Sequence, residues 1–225
     1  MGKFYLDNPL TNDNRNYDYS DHPESEREEY QFISDLVEHK SKVIDLGCGN
    51  GSLLQKLIKE KNILGCGIEI SKSGVDICLQ KKLNVKLGRI DIPLEYSEDE
   101  FDYSICNVTI QMVHSPEILL NEMKRISKYQ IITFPNFGFY KNRIDLLLNG
   151  RMPKPMLFGY KWYSTGHIHQ LSIKDFYELI EDIGKLKLLR HDFVKANNLI
   201  KNYFMKKFPN LFQSLPIFLL EKVNT

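Results

Sequence analysis

The sequence lacks the features of a membrane-spanning, disulfide-stapled or nucleic-acid-binding protein. Its apolar runs, such as residues 215–220, are too short to cross a bilayer, and its first twenty residues have no apolar secretory core. Its four cysteines form no CxxC pair and have no adjacent histidine, which predicts buried thiols rather than a metal site. Thirty Lys and Arg against twenty-nine Asp and Glu leave a net charge of +1. We therefore expect a cytoplasmic protein with no membrane insertion, no metal and no nucleic-acid partner.

What the sequence does contain is a globular balance of 42% apolar and 26% charged residues, arranged in alternating strand-like and helix-like segments. The strand-like runs are 42–46, 63–70, 85–87, 101–106 and 129–134, and the helix-like segments between them are 52–61, 73–81 and 116–127. This alternation predicts an α/β fold, in which a mostly parallel twisted sheet is covered by helices on both faces. A helix beginning near residue 25, a helix over 172–183 and a closing pair of strands at 186–194 and 216–222 complete the prediction.

The domain organisation that we predict is simple. Residues 1–23, rich in Asn, Asp and Tyr, lack periodicity and are expected to form a flexible N-terminal arm. Residues 24–225 are expected to form one domain. Within it, residues 136–170 combine glycines and prolines with aromatics and cations, which predicts a loop-rich insertion after the fifth strand, on the substrate side.

The most informative segment reads VIDLGCGNG over residues 43–51, an apolar strand running into three alternate glycines before a helix. Glycine permits a tight turn and close approach of a ligand, and the following helix N-terminus leaves amide groups for an electronegative ligand atom. The spacing fits neither the dinucleotide fingerprint nor the P-loop. It resembles motif I of the Rossmann-like S-adenosylmethionine (SAM) methyltransferases, which implies that Asp45, Gly47, Cys48 and Gly49 contact SAM as cofactor.

Two further segments would complete a nucleoside site. Glu69 ends the second strand-like run, where a carboxylate can accept hydrogen bonds from both ribose hydroxyls, with Ile70 beside it. The resemblance to SAM methyltransferases also implies an acidic residue directly after a glycine that follows the third strand, where it meets adenine, but here Gly88 is followed by Arg89. Either Asp91 takes that role or adenine is held by apolar packing and by the backbone at Ile90.

Downstream segments bring a closer resemblance. They are FPNFG at 134–138, LLNGRMP at 147–153, WY at 162–163, IH at 168–169, IKDF at 173–176 and FPNL at 208–211. Together with residues 43–49, these segments resemble the MetW family over about residues 41–222. The resemblance implies a single SAM-methyltransferase-like domain and an association with homoserine O-acetyltransferase in methionine biosynthesis.

The candidate catalytic residues lie beyond the fourth strand and in the insertion, because open α/β sheets bind ligands at the carboxyl ends of their strands. They are His114, Tyr163, His167 and His169. His114 would face a substrate hydroxyl or cap the helix that begins at 116. His167 and His169 alternate, which predicts that both point to one face, one as a base and the other as a structural group. Asn107 would touch the cofactor or satisfy a turn.

The insertion has more cations than its length would suggest in a chain of near-zero net charge. The candidate substrate-binding residues there are Tyr140, Arg143, Arg151, Lys161 and Trp162. They predict a phosphate or carboxylate gripped by arginine between aromatic walls, and the alternative is a solvated basic face with aromatic packing.

Two functions therefore stay open at the level of sequence. The first is a SAM-dependent methyltransferase that acts on an oxygen, or less favourably a nitrogen, of a small anionic metabolite such as a phosphorylated or nucleotide-linked intermediate. The second is an accessory subunit that binds SAM and supports homoserine O-acetyltransferase. The partners expected are a small anionic substrate and either a second copy of the chain or an acetyltransferase.

Overall fold

A computed structural model describes residue 19 and residues 24–154, 162–163 and 165–223. The helices are α1 (Glu29–Leu36), α2 (Ser52–Lys61), α3 (Lys72–Gln80), α4 (Pro116–Ile126), α5 (Tyr140–Asn149), α6 (Ile173–Ile183), α7 (Leu199–Lys207) and α8 (Pro209–Phe212). The strands are β1 (Lys42–Leu46), β2 (Leu64–Glu69), β3 (Asn84–Leu87), β4 (Phe101–Asn107), β5 (Ser127–Thr133), β6 (Leu186–Phe193) and β7 (Pro216–Lys222). A 3₁₀ turn at Ile110–Met112 follows β4.

The strands form one seven-stranded sheet in the order β3-β2-β1-β4-β5-β7-β6. The first five are parallel, whereas β7 pairs antiparallel with both β5 and β6. This arrangement confirms the predicted α/β fold and its closing pair of strands. It also brings the carboxyl ends of β1, β2 and β4 together at one edge of the sheet, where open α/β sheets bind ligands.

Each face of the sheet carries its own apolar core, because neighbouring residues of a strand point to opposite sides. Val43 of β1 packs with α1, α2 and α3, while the next residue, Ile44, packs with α4 and α6. Phe134, Phe176 and Phe218 form the aromatic centre of the second core, with ring centroids 4.7–5.6 Å apart. The two layers fix the strand ends that carry the candidate site.

The predicted loop-rich insertion is only partly irregular, because helix α5 occupies ten of its residues. The helix was missed because its apolar side chains point outward: Asn142 is its buried residue, whereas Leu147 and Leu148 are 82% and 75% exposed. Helices α7 and α8 were also not predicted. The predicted helix over 172–183 is confirmed as α6, which begins with a capping box formed by Ser172 and Asp175. The predicted N-terminal arm lies outside the described residues except for Tyr19.

Candidate functional site

Two adjoining cavities lie at the carboxyl ends of β1, β2 and β4. The first extends toward β2 and β3 and is lined by Glu69, Ile70, Gly88, Arg89, Ile90, Asp91, Val113 and His114. The second extends toward α1 and β5 and is lined by Ser25, Arg27, Glu29, Tyr30, Asp45, Cys48, Gly49, Asn50, Leu53, Asn107, Val108, Pro135, His167 and Leu215. Four residues line both, namely Tyr19, Gly47, Thr109 and Met112. The predicted glycine loop therefore borders both cavities.

The glycine loop turns sharply from β1 into α2. Gly47 has a φ of +82°, which an L side chain rarely adopts, and a Cβ built there would be 2.6 Å from Cγ2 of Thr109. The amides of Gly47 and Cys48 both donate to the carbonyl oxygen of Ile68, at 2.8 and 3.2 Å. The loop is thus anchored to β2, and Gly47, Cys48 and Gly49 line the second cavity.

Glu69 lies beside this loop at the carboxyl end of β2, as its position in the sequence predicts. Its side chain is buried, and its Oε2 and Oε1 accept hydrogen bonds from the amides of Gly49 and Ser71, at 2.7 and 2.8 Å. These two bonds fix the orientation of the carboxylate. Each of its oxygens has the capacity to accept a second hydrogen bond, which suits a pair of ribose hydroxyls.

The far end of the first cavity combines apolar walls with one ion pair. Ile70 and Ile90 line the cavity, and Arg89 forms a two-pronged pair with Asp91, at 3.0 Å to Oδ1 and 2.7 Å to Oδ2. The buried Asp91 also accepts a hydrogen bond from the amide of His114 at 2.8 Å. Asp91 therefore joins Arg89 to the loop after β4. Ile70 and Ile90 thus offer apolar contact at this end of the cavity, beside the paired charges of Arg89 and Asp91.

The second cavity is rich in carboxylates. Asp45 and Glu29 are both buried, and Glu29 accepts a hydrogen bond from Nδ2 of Asn107 at 3.2 Å. Arg27 lies 3.8 Å from Glu29 through its guanidinium. Burial, with a smaller contribution from the charge of Glu69, raises the pKa of the Asp45 carboxyl to about 7. The cavity therefore favours a ligand that brings positive charge and that also presents an anionic group to Arg27.

The backbone at the end of β4, which lines this cavity, is strained. Val108 has a φ of +54°, an outlier for a β-branched residue, and its amide donates to the carbonyl and hydroxyl oxygens of Thr133, at 3.1 and 2.9 Å. The Thr133 hydroxyl in turn donates to Oδ1 of Asn107. Asn107 is thus held from both sides, by Thr133 and by Glu29. Strain of this kind is characteristic of sites that position a ligand.

The four candidate catalytic residues do not line one common cavity. His167 is buried and lines the second cavity, whereas His114 lines the first. The ring of His169 donates from Nε2 to the carbonyl oxygen of His114 at 3.2 Å, so it holds two loops together. Tyr163 is 63% exposed and packs edge-on against Trp162. Residues 165–172 belong to none of the described strands, and the shared orientation that we predicted for His167 and His169 stays a prediction.

The candidate substrate-binding residues do not line either cavity, as far as the structure describes them. Arg143 donates to the carbonyl oxygens of Gly138 and Asn210 and so ties α5 to α8. Tyr140 packs against Phe212, and Arg151 lies 3.8 Å from Asp145. Trp162 is 70% exposed, and Lys161 lies outside the described residues.

Several residues of the site were missed in the sequence, namely Tyr19, Arg27, Glu29, Tyr30, Thr109 and Met112. One signal pointed to Glu29: it stands four residues before Ile33, on the apolar stripe of α1, where a charge is unexpected.

Cys48 is buried beneath the loop, and a hydrogen bond with Cys78, together with burial, raises the pKa of its thiol. In the part of the chain that the structure describes, no group of three His, Cys, Asp or Glu residues could hold a metal ion.

The raised pKa of Asp45 predicts an unusual dependence of stability on pH. The folded state keeps a proton that the unfolded chain, with an ordinary pKa of 3.8, releases. Stability from this group is therefore present at low pH and is lost as pH rises from about 4 to about 7. The variant Asp45→Asn has no carboxyl group at this position, so its stability does not fall with pH in this way. Between pH 4 and pH 8, we expect the unfolding free energy of the variant to rise by about 2–4 kcal/mol relative to that of the parent protein.

This prediction is checked by urea unfolding at several pH values without ligand. Because the comparison is between pH values, any constant cost of the asparagine amide cancels. A difference between the two proteins that does not change with pH would contradict it.

Comparison with known proteins relates this geometry to a family and a fold. A family model described as methionine biosynthesis protein MetW matches residues 27–220. The bifunctional methionine biosynthesis protein MetXA/MetW of Rhodopirellula baltica is 33% identical over 165 residues, which cover 68% of this chain and 26% of that protein. This chain thus spans about a quarter of the length of that relative.

Solved structures share the fold at low identity. A SAM-dependent methyltransferase from Methanosarcina mazei covers 86% of this chain and 98% of its own, at 14% identity and a TM-score of 0.61. Geranyl diphosphate C-methyltransferase from Streptomyces coelicolor was solved with Mg²⁺, geranyl diphosphate and S-adenosyl-L-homocysteine. It covers 87% of this chain and 80% of its own, at 12% identity and a TM-score of 0.59.

Among the described helices, none has both the length and the apolar character to cross a membrane.

Proposed function

The chain belongs to the MetW family and has the Rossmann-like fold of the SAM-dependent methyltransferases, and from that premise we propose that it is a SAM-dependent methyltransferase. SAM would supply an activated methyl group on a sulfonium. The acceptor that we propose is an oxygen, or less favourably a nitrogen, of a small anionic metabolite.

The observation that carries the proposal is the match between the two cavities and the two halves of SAM. The first cavity offers Ile70 and Ile90 to a purine ring and Glu69 to a ribose. The second offers the buried carboxylates of Glu29 and Asp45 to a sulfonium and an ammonium group, and Arg27 to a carboxylate. Opposite charges placed in a buried site interact more strongly than they do in water.

Methyl transfer from a sulfonium asks the protein mainly to align the reactants and to exclude water. An oxygen acceptor loses its proton as its bond to the methyl carbon forms and the bond from carbon to sulfur breaks. His167 lines the second cavity beside Pro135 and Leu215, and we assign to it the acceptance of that proton. The anionic character of the acceptor is proposed from sequence alone, on four cations against one acid over residues 139–154, and these cations line neither cavity.

The test is calorimetry with SAM followed by a turnover assay. A cationic ligand beside Asp45 lowers its pKa, so SAM binding at pH 6.5 should release up to about one proton, detected as a dependence of the heat on buffer ionisation. Asp45→Asn should abolish that release. Turnover is then measured as S-adenosylhomocysteine formed with phosphorylated and carboxylated hydroxy metabolites. Failure of the parent protein to bind SAM would refute the proposal.

A second candidate function is that of an accessory subunit for homoserine O-acetyltransferase. The relative from Rhodopirellula baltica is a bifunctional protein whose name joins MetXA with MetW. The observation that favours this role is the outward apolar face of two helices: Leu147 and Leu148 on α5, and Leu199 and Ile200 on α7, are 69–87% exposed. On α5 this face lies opposite the buried residue Asn142, and on α7 it lies opposite the buried residue Met205.

This alternative is tested by mixing the protein with the homoserine O-acetyltransferase of the same organism and measuring acetyl transfer. If the alternative holds, the parent protein raises the activity and a Leu147→Glu/Leu148→Glu variant does not. Leu79→Glu, an exposed leucine on α3, is the matched control. An acetyltransferase rate that is independent of the protein would exclude the accessory role.

A further inference from the structure

Tyr19 is the one described residue of the first 23, and it lies where the two cavities meet. Its amide donates to the hydroxyl of Ser73 at 3.0 Å, which attaches it to the start of α3. It lines both cavities. The residues that share this position, Gly47, Thr109 and Met112, belong to the glycine loop and to the segment after β4. Tyr19 therefore borders the same junction from a third part of the chain.

Two glycines make room for the tyrosine ring. A Cβ at Gly49 would be 3.1 Å from the Tyr19 hydroxyl oxygen, and one at Gly74 would be 3.1 Å from its ring atom Cδ2. The Cβ at Gly74 would also be 2.8 Å from the carbonyl oxygen of Gly49 and 3.0 Å from Cγ of Glu69. Glycine near the start of a helix costs stability relative to alanine. The absence of a side chain at Gly74 allows Tyr19 to pack closely against α3, the glycine loop and Glu69.

We propose that Tyr19 is a cofactor-positioning residue that favours SAM over its product. This inference rests on the proposed function, because it takes SAM to span both cavities. The nucleoside and amino-acid halves of SAM join at the sulfonium, and Tyr19 lies where the corresponding cavities join. An aromatic ring attracts a cation through its quadrupole. The product is a neutral thioether and lacks that attraction, so Tyr19 stabilises the bound substrate without equally retaining the product.

The experiment compares the affinities of the full chain for SAM and for S-adenosylhomocysteine by calorimetry. Tyr19→Leu keeps an apolar side chain but removes the aromatic ring. We expect it to weaken SAM binding by about 5- to 30-fold and to change S-adenosylhomocysteine binding less than about 3-fold. Tyr19→Phe keeps the ring and should retain the preference for SAM. Tyr203→Leu, an exposed tyrosine on α7, is the matched control for loss of a tyrosine elsewhere.

The outcomes separate this inference from the proposed function. If the parent protein binds SAM and Tyr19→Leu weakens both ligands by the same factor, Tyr19 only covers the site and the inference is wrong. Unchanged affinity for both ligands would also overturn it. If the parent protein binds neither ligand, the proposed function itself fails. Thermal unfolding of each variant shows whether it is folded at the temperature of the titration.

Discussion

Replacement of Glu69 with glutamine is expected to weaken SAM binding by about 100-fold or more. In the proposed complex its carboxylate accepts charge-assisted hydrogen bonds from two ribose hydroxyls, each worth about 1.5–3 kcal/mol. The same carboxylate also accepts from the amides of Gly49 and Ser71, at 2.7 and 2.8 Å. A glutamine has one acceptor oxygen, so its NH₂ group would face one of these two amide donors. The variant therefore loses both the ribose contact and the fixed position of the loop.

Calorimetry with SAM and with adenosine checks this expectation. Because both ligands contain the ribose, both affinities should fall by similar factors, unlike the selective loss expected for Tyr19→Leu. Glu95→Gln serves as the matched control, since Glu95 does not line either cavity. If Glu69→Gln bound SAM within about 3-fold of the parent protein, Glu69 would not be part of the ribose site.

Gly47→Ala should destabilise the fold by about 2–4 kcal/mol. Part of the cost comes from a φ of +82°, which places an L residue in the left-handed region at about 1–2 kcal/mol. The rest comes from overlap of the new Cβ with Thr109, 2.6 Å from Cγ2 and 2.8 Å from Oγ1. Thr109 has a short, branched side chain that also donates to the carbonyl oxygen of Asn107, so it cannot yield without moving the cavity wall.

Gly150→Ala separates the two contributions. Gly150 has a similar backbone conformation, with a φ of +57°, and a Cβ there meets no atom within 4 Å. Urea unfolding should therefore show only the backbone cost of about 1–2 kcal/mol for Gly150→Ala. The larger cost of Gly47→Ala should be partly recovered when Thr109→Ala is added. Equal costs at the two glycines would show that Thr109 adapts and that the overlap has no energetic weight.

The predictable parts of this protein are those encoded within short stretches of sequence. Each parallel strand is an apolar run followed by a helix with one apolar face, so the order and approximate bounds of β1 to β5 follow from local patterns. The glycine loop and Glu69 were found for the same reason. One helix, α2, and one strand, β2, separate the glycine loop from Glu69 along the chain. A βαβ unit with this spacing places the two side by side.

The parts that escaped prediction depend on contacts between distant segments. Arg27 and Glu29 enter the second cavity because α1 packs beside β7 and α2, which no local pattern reveals. Asp91, in the loop after β3, accepts hydrogen bonds from Arg89 and from the amide of His114 in the segment after β4, a pairing that spacing alone does not reveal. The hydrogen bonds of Arg143 to the carbonyl oxygens of Gly138 and Asn210 likewise join distant segments, and its predicted role in substrate binding stays a prediction.

The strand order has a consequence for how the protein is made. Within the described sheet β6 pairs only with β7, and β7 lies between β6 and β5 although it follows both in the chain. As the ribosome extends the polypeptide, β6 emerges before the strand that must bridge it to the rest of the sheet. Five parallel strands can assemble during translation, but the antiparallel edge must wait until β7 has left the exit tunnel.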